Sequence, residues 1–135
     1  MSIQYSTTVR NAQLDALETA IGTAAVLKIR TGAAPADVAT ADSGTVLATL
    51  TLPSDWLAAA SGGSKSKSGT WEDTSADATG TAAHFRIYAS DGTTAHIQGT
   101  VTATSGGGDI ELDNTSIASG QTVTITSFSI TAGNA

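Results

Sequence analysis

Short runs of alternating Val, Ile and Thr, separated by clusters of Gly, Ser, Asp and Asn, cover most of this chain after residue 24. A period of two between apolar residues is typical of β-strands that bury one face, and the intervening clusters favour turns. Representative runs are residues 25–30, 45–52, 82–89 and 109–113. Together the runs predict roughly seven or eight short strands, which argues against a predominantly helical fold.

The one helical pattern lies near the start of the sequence, over residues 6–21. Ser6, Thr7 and Thr8 offer hydroxyl groups for the N-cap, and Gly22 follows the last apolar residue. Apolar residues recur at helical spacing at Val9, Ala12, Ala16, Leu17, Ala20 and Ile21. The pattern therefore predicts one N-terminal helix that ends at Gly22.

A length of 135 residues is enough for one hydrophobic core, so we predict a single domain over residues 1–135. An N-terminal arm and helix take about residues 1–22, and a β-sandwich takes about residues 24–135. One helix followed by many short strands fits the antiparallel all-β architectures. The fold class we expect is mostly β, with a jelly-roll-like β-sandwich.

Composition argues against several classes of partner and site. The chain has no cysteine, which excludes disulfide bonds and thiolate metal ligands. Its net charge of −6 argues against nucleic acid and anionic membranes, because both attract basic surfaces. No stretch approaches the roughly 18 apolar residues of a membrane span, and no signal-peptide pattern is visible. We expect synthesis in the cytoplasm without export.

The segment around residues 90–92 predicts a β-hairpin. A three-residue loop with a left-handed glycine pairs Ala89 with Thr93 and places Phe85 opposite Ile97, so that apolar side chains share one face. The other face then carries polar and amphipathic side chains. We predict that they form an exposed recognition patch, which consists of His84, Arg86, Tyr88, His96 and Gln98.

Neither this patch nor the acidic strand that follows has the character of a metal site. His96 is expected to face Arg86, whose positive charge repels a cation. Asp109, Glu111 and Asp113 share one strand face, but alternate residues of a strand lie about 7 Å apart, which predicts a solvated acidic face instead of a calcium site. Motifs of nucleophile elbows, phosphate loops and zinc peptidases are also missing. We therefore predict no metal, no cofactor, no catalytic residue and no enzymatic activity.

Trp56 and Trp71 flank a Gly- and Ser-rich stretch, residues 61–69, which predicts an exposed loop. Burial in the core is the preferred interpretation of these large aromatic residues, and contact with a partner is the alternative. The apolar face of the helix has the same two alternatives. The candidate assembly contacts are Val9, Leu17, Ile21, Trp56, Leu57 and Trp71.

Three stretches resemble small proteins encoded in the structural modules of tailed phages and prophages. They are residues 3–22, the run Leu27-Lys-Ile-Arg-Thr-Gly-Ala-Ala-Pro35, and residues 122–135. The chain is similar in particular to capsid cement, or decoration, proteins, some of which are jelly-roll-like and dimeric. The resemblance implies a virion protein that binds the outside of the major capsid protein lattice and stabilises the shell. It also implies a homo-oligomer, with a dimer favoured, and residence in the host cytoplasm during assembly.

Two other functions remain open at this point. A tail-fibre or head-fibre module that binds a receptor or a glycan would also be β-rich. A small carbohydrate-active enzyme would need two carboxylates facing each other in a cleft, and no pair stands out among the 12 acidic residues. The number of copies in the particle separates a cement protein from a fibre, and glycan turnover tests for an enzyme.

Overall fold

A computed structural model describes residues 3–132, so the ends of the predicted domain, residues 1–2 and 133–135, lie outside the described part. The protein is mostly β with one N-terminal helix, as the alternating pattern predicts. Helix α1 spans Thr7–Ile21. Eleven strands follow within the described residues: β1 Val26–Arg30, β2 Val46–Thr51, β3 Ser64–Ser66, β4 Trp71–Asp73, β5 Gly80–Thr81, β6 His84–Tyr88, β7 Ala95–Ala103, β8 Ile110–Leu112, β9 Ser116–Ile117, β10 Val123–Ile125 and β11 Ser129–Thr131.

The helix begins and ends where its capping residues predict. The Ser6 hydroxyl accepts a hydrogen bond from the Val9 N–H at 3.2 Å, which satisfies one free donor of the first turn. Gly22 adopts a φ of 95° at the other end, and its N–H donates to the Glu18 carbonyl. The predicted helix is thus confirmed.

The strands form one five-stranded sheet and three two-stranded ladders. The sheet has the order β2-β1-β6-β7-β8, with antiparallel neighbours except for the parallel pair β7–β8. The ladders pair β10 with β4, β11 with β3, and β5 with β9. This pairing establishes a mostly β fold, and the jelly-roll form stays a prediction.

Four aromatic rings tie the sheet to the ladders inside one hydrophobic core. Trp71 lies 6.1 Å from Trp56 and 5.4 Å from Phe128 between ring centroids. Phe128 in turn meets Phe85 of β6 edge to face at 5.8 Å. Trp56 and Trp71 are fully buried, so the preferred interpretation of both tryptophans as core anchors is confirmed.

The loop of the β6–β7 hairpin is longer than predicted. Ala89 pairs with Thr94 instead of Thr93, and its N–H donates to the Thr94 carbonyl at 3.0 Å. The Asp91 carboxylate stabilises this loop, because it accepts hydrogen bonds from the Thr93 N–H and from the Thr94 N–H and hydroxyl group. Gly92 takes the left-handed conformation as predicted, with a φ of 71°.

A bulge next to Ile87 then changes the register of the two strands. Ile87 lies opposite Ile97, and Arg86 lies opposite Gln98. The predicted register is wrong because each of these partners lies two residues farther along β7 than expected. A shift by two residues keeps each side chain on its face, so the apolar face of the hairpin still points into the core.

Candidate assembly surface

The predicted recognition patch is not a surface. His84 and Tyr88 are fully buried and Arg86 is 2% exposed, whereas Gln98 is half-buried and only His96 is exposed. The prediction that the five residues form an exposed patch is therefore wrong. The physical reason is that the connection between β1 and β2, residues 31–45, folds over this face of the sheet.

Asp42 holds the connection in place by an ion-pair cluster. Its carboxylate contacts Arg30 at 2.9 Å and Arg86 at 2.8 Å, and it accepts the Tyr88 hydroxyl at 2.9 Å. Burial of the carboxyl opposes its ionisation, but the Tyr88 hydroxyl and the two guanidinium groups outweigh this effect and lower the pKa of Asp42. Burial of the Tyr88 hydroxyl group, together with its hydrogen bond to Asp42, raises the pKa of Tyr88.

The remaining polar groups beneath the connection hold its backbone. Arg86 donates to the carbonyls of Asp37 and Thr40, and the Gln98 amide donates to the Pro35 carbonyl at 2.8 Å. His84 Nδ1 lies 2.7 Å from the Gly32 carbonyl. These contacts give the polar side chains of the outer face a structural role, because nearly all of their hydrogen-bonding capacity is satisfied within the chain.

The acidic strand also serves the local fold. Asp109 accepts the Thr100 N–H at 2.9 Å, and Glu111 accepts the Gly107 N–H at 3.0 Å. Asp113 is exposed. Between residues 3 and 132 no three His, Asp or Glu side chains converge in a way that could hold a metal ion.

Helix α1 is attached to the β body by polar and by apolar side chains. The Arg10 guanidinium donates to the Ala132 carbonyl at 3.0 Å, and the Asn11 side chain accepts the Gly63 N–H at 2.9 Å. Leu14 and Ile21 are buried, and Leu17 is half-buried against the core. The large apolar residues of the helix thus face inward, as is usual for an amphipathic helix, and the polar contacts add to this packing.

Lys65 of β3 is the centre of this attachment. Its side chain is 2% exposed, and its ammonium group lies 2.7 Å from Asp15 and 3.4 Å from Glu18 of the helix. Burial disfavours the charged ammonium, but the two carboxylates outweigh burial and raise the pKa of Lys65. Glu18 also accepts the Leu57 N–H at 2.8 Å, so the helix is bound to two segments of the body.

We expect the substitution Lys65→Met to loosen the helix. Methionine keeps the volume of the stem but removes both ion pairs, and the cost is about 1–2 kcal/mol because the carboxylates can regain water. Amide hydrogen exchange should speed up in α1 more than in β6, and urea denaturation should give the change in stability. Lys67→Met is the matched control, since Lys67 donates to the Gly69 carbonyl and lies over the Trp71 ring, neither of which belongs to the helix. Equal exchange in the two variants would contradict this account of the helix attachment.

The opposite side of the helix is apolar and exposed. We call it the helix stripe, and it consists of Val9, Ala12, Ala16 and Ala20. The segment before the helix, residues 3–6, has no regular secondary structure, and we call it the arm. Among the described residues, the large apolar side chains that are exposed all lie on the arm and the stripe: Ile3 at 78%, Tyr5 at 45% and Val9 at 44%.

Most of the predicted assembly contacts lie inside the molecule. Trp56, Leu57, Trp71 and Ile21 are buried, so these four residues cannot meet a partner in the folded chain, and Leu17 is half-buried against the core. Val9 alone of the six is exposed. Ile3 and Tyr5 are exposed but were not among the predicted contacts, although their alternation with Gln4 and Ser6 is a visible signal.

Comparison with known proteins gave no relatives. Searches of protein-family models, of curated proteins and of solved structures found no match to this chain. Within residues 3–132, no helix has the length and apolar character needed to cross a membrane.

Proposed function

We propose that this protein is a capsid cement, or decoration, protein of a tailed phage. It docks on the outside of the major capsid protein lattice through the helix stripe and stabilises the shell, and it has no catalytic role. The observation that carries the proposal is the exposure of the helix stripe: the ionic side chains and the large apolar residues of α1 hold the helix to its own body, while Val9 and the three alanines face outward. Exposed apolar patches are typical of surfaces that meet a protein partner.

The chemistry of the stripe fits a lattice partner. Alanine side chains let another backbone approach closely, and they bury apolar area without the entropy loss of long side chains. One such contact is weak, but many copies on one lattice add their effects through neighbouring contacts. The net charge of −6 fits a position outside the shell, away from packaged DNA.

The finer fold assignment belongs to the same proposal. We infer that the five-stranded sheet and the ladders are the two layers of a jelly-roll-like sandwich. Support comes from the shared core, in which Phe85 and Leu27 of the sheet are buried together with Trp71 and Val123 of the ladders. An experimental structure that separates these elements into unrelated layers would overturn this inference.

The paired substitutions Val9→Glu and Ala16→Glu test the docking surface. Each puts a carboxylate into a contact that must become dry, so binding to purified shells that lack this protein should weaken at least tenfold, which corresponds to about 1.4 kcal/mol. Folding should be unaffected, because glutamate is a good helix former and Glu at position 9 completes a capping box with Ser6. Cosedimentation of the variants with shells measures the binding.

The control for this experiment is Ser90→Glu/Ser119→Glu, which adds the same two charges at exposed positions in the β6–β7 loop and the β9–β10 connection. It should bind shells like the unmodified protein. Unchanged binding of the Val9→Glu/Ala16→Glu variant, with the control also unchanged, would show that the helix stripe is not the docking surface.

A further inference from the structure

The connection between β1 and β2, residues 31–45, is a loop that is closed at its base. The Thr31 N–H donates to the Thr45 carbonyl at 3.1 Å, and the Thr31 hydroxyl accepts the Thr45 N–H at 2.9 Å. None of residues 31–45 is buried, and none belongs to the hydrophobic core. The connection is therefore held on the sheet by polar contacts, and a segment of this kind opens more easily than the core unfolds.

His84 of β6 lies beneath this connection. Its side chain is fully buried, and its Nδ1 atom lies 2.7 Å from the Gly32 carbonyl oxygen. A carbonyl oxygen only accepts hydrogen bonds, so Nδ1 carries the hydrogen, and Nε2 of the neutral ring has a lone pair instead. Nε2 is buried as well and has no hydrogen-bond partner among residues 3–132. The closed connection thus fits the neutral imidazole.

The neighbours of His84 on strands β1 and β6 are positively charged. Arg30 of β1 lies directly opposite His84, and Arg86 follows two residues later on β6, so both share its face of the sheet. Farther along this face, the Lys28 ammonium lies 5.0 Å from the centre of the Tyr88 ring. This face of the sheet therefore carries three cations besides His84.

The carboxylates around this face are engaged with other groups. Asp42 of the connection pairs with the two guanidinium groups, and Asp37 accepts hydrogen bonds within the connection itself. On β7, Thr100 lies opposite His84, and its hydroxyl donates to Asp109. In the part of the chain that the structure describes, no carboxylate forms an ion pair with His84.

A proton on Nε2 of His84 conflicts with the closed connection for two reasons. It creates a buried N–H group without an acceptor, and it adds a fourth positive charge to a face where Asp42 is the one carboxylate that pairs with cations. When the connection leaves the sheet, water reaches the ring and can accept this hydrogen bond. Protonation of His84 is therefore coupled to opening of the connection.

We propose that closure of the connection depends on a neutral His84, so that acid favours an open form in which residues 31–45 leave the sheet. The open form uncovers the guanidinium groups of Arg30 and Arg86, which are buried in the closed form. This inference concerns the β1–β2 connection and not the helix stripe. It therefore holds or fails independently of the proposed capsid function.

The direction of the pH dependence follows from the form that binds the proton. A histidine in water takes up a proton at about pH 6.5, so below this pH the open form binds one proton more than the closed form. Closure is complete above about pH 6.5 and weakens as the pH falls. The ratio of open to closed molecules should rise roughly tenfold between about pH 7.5 and pH 5.5.

Hydrogen exchange of the Arg86 side chain reports this opening, because its N–H groups donate to the Asp37 and Thr40 carbonyls of the connection. We would measure this exchange by NMR between about pH 7.5 and pH 5.5, relative to free arginine at the same pH. The protection of these N–H groups should fall roughly tenfold over this range. Constant protection would overturn the proposal.

Two variants identify the histidine that is responsible, since the chain has two. His84→Asn keeps a donor near the position of Nδ1 but cannot take up the proton, so the protection of Arg86 should no longer depend on pH in this range. A lower protection at every pH would not matter, because the readout is the slope. His96→Asn is the matched control, because His96 is exposed, and it should keep the full slope. A slope that survives in His84→Asn would contradict the proposal.

The unmodified chain provides a test that needs no variant. The NMR signals of the two imidazole rings should separate on acidification: the exposed His96 ring should titrate near about pH 6.5, whereas the His84 ring of the closed form should keep the signals of the neutral form at about pH 5.5. If both rings titrated together in the folded chain, the closed form would accept the proton, and the proposal would be wrong.

Discussion

Replacing Trp71 by alanine lowers the free energy of unfolding by about 3–5 kcal/mol, which is the usual cost of removing a large buried aromatic side chain. Trp71 is fully buried, and its ring packs between Trp56 and Phe128. Its indole N–H also donates to the Ser68 carbonyl at 3.1 Å, so the substitution removes a hydrogen bond as well as apolar contacts. Urea denaturation followed by circular dichroism measures the change.

The control for this experiment is Ile3→Ala. Ile3 is a large apolar residue with 78% exposure, and its loss should change the free energy of unfolding by no more than about 0.5 kcal/mol. If Trp71→Ala were as mild as the control, Trp71 would not be a core anchor. Its interpretation as a contact for a partner would then be restored.

Replacing Asp42 by asparagine lowers the free energy of unfolding by about 2–3 kcal/mol. Breaking a fully buried ion pair typically costs about 3–5 kcal/mol, and the cost is smaller here because the Asp42 side chain is 37% exposed. Asparagine has nearly the same shape, so the effect isolates the charge. Without it, the guanidinium groups of Arg30 and Arg86 face each other with no carboxylate between them. Chemical denaturation gives the magnitude, and Asp113→Asn, an exposed carboxylate, is the matched control.

The Asp42 contribution also depends on pH in a defined direction. The pKa of Asp42 in the folded chain lies below the ordinary pKa of an aspartate. The stabilising effect of Asp42 is therefore complete at pH values above the ordinary pKa, and it is lost as the pH falls through the folded-state pKa. The difference in stability between the unmodified protein and Asp42→Asn should therefore be constant near neutral pH and shrink below about pH 4. A difference that stays constant down to about pH 2 would show that the charge of Asp42 is not the cause.

Local patterns predicted the local features of this fold. The helix bounds follow from Ser6 and Gly22, which contact the adjacent backbone and need no distant partner. The alternation that places Asp109, Glu111 and Asp113 on one strand face places Ile110 and Leu112 on the other, and both are buried. Such features are decided within a few residues, so a single sequence contains enough information to predict them.

Features that depend on distant contacts were not predictable in this way. Arg86 and Tyr88 lie on the polar face of a strand, and alternation predicts exposure for them, yet residues 31–45 cover them through hydrogen bonds that join positions more than 40 residues apart along the chain. The hairpin register failed for a smaller reason. The hydrogen bonds of Asp91 favour a longer loop, and a bulge beside Ile87 adds a residue to one strand.

The candidate surface was hidden by the same kind of long-range pairing. The spacing of the helix residues identifies an apolar side, and the ordinary expectation is that this side faces the core. Leu17 and Ile21 do face the core, and Lys65 and the backbone near Leu57 bind Asp15 and Glu18 beside them, which leaves the small apolar residues of the stripe on the outside. Nothing in the helix sequence alone indicates that its carboxylates have partners 39 to 50 residues away.

The number of copies of this chain per particle tests the cement function most directly. We would quantify it by mass spectrometry against the major capsid protein in purified virions of the phage or prophage that encodes it. A cement protein that occupies the lattice predicts a copy number close to that of the major capsid protein. A few copies per particle, as a fibre would have, or complete absence from the virion would contradict the proposal.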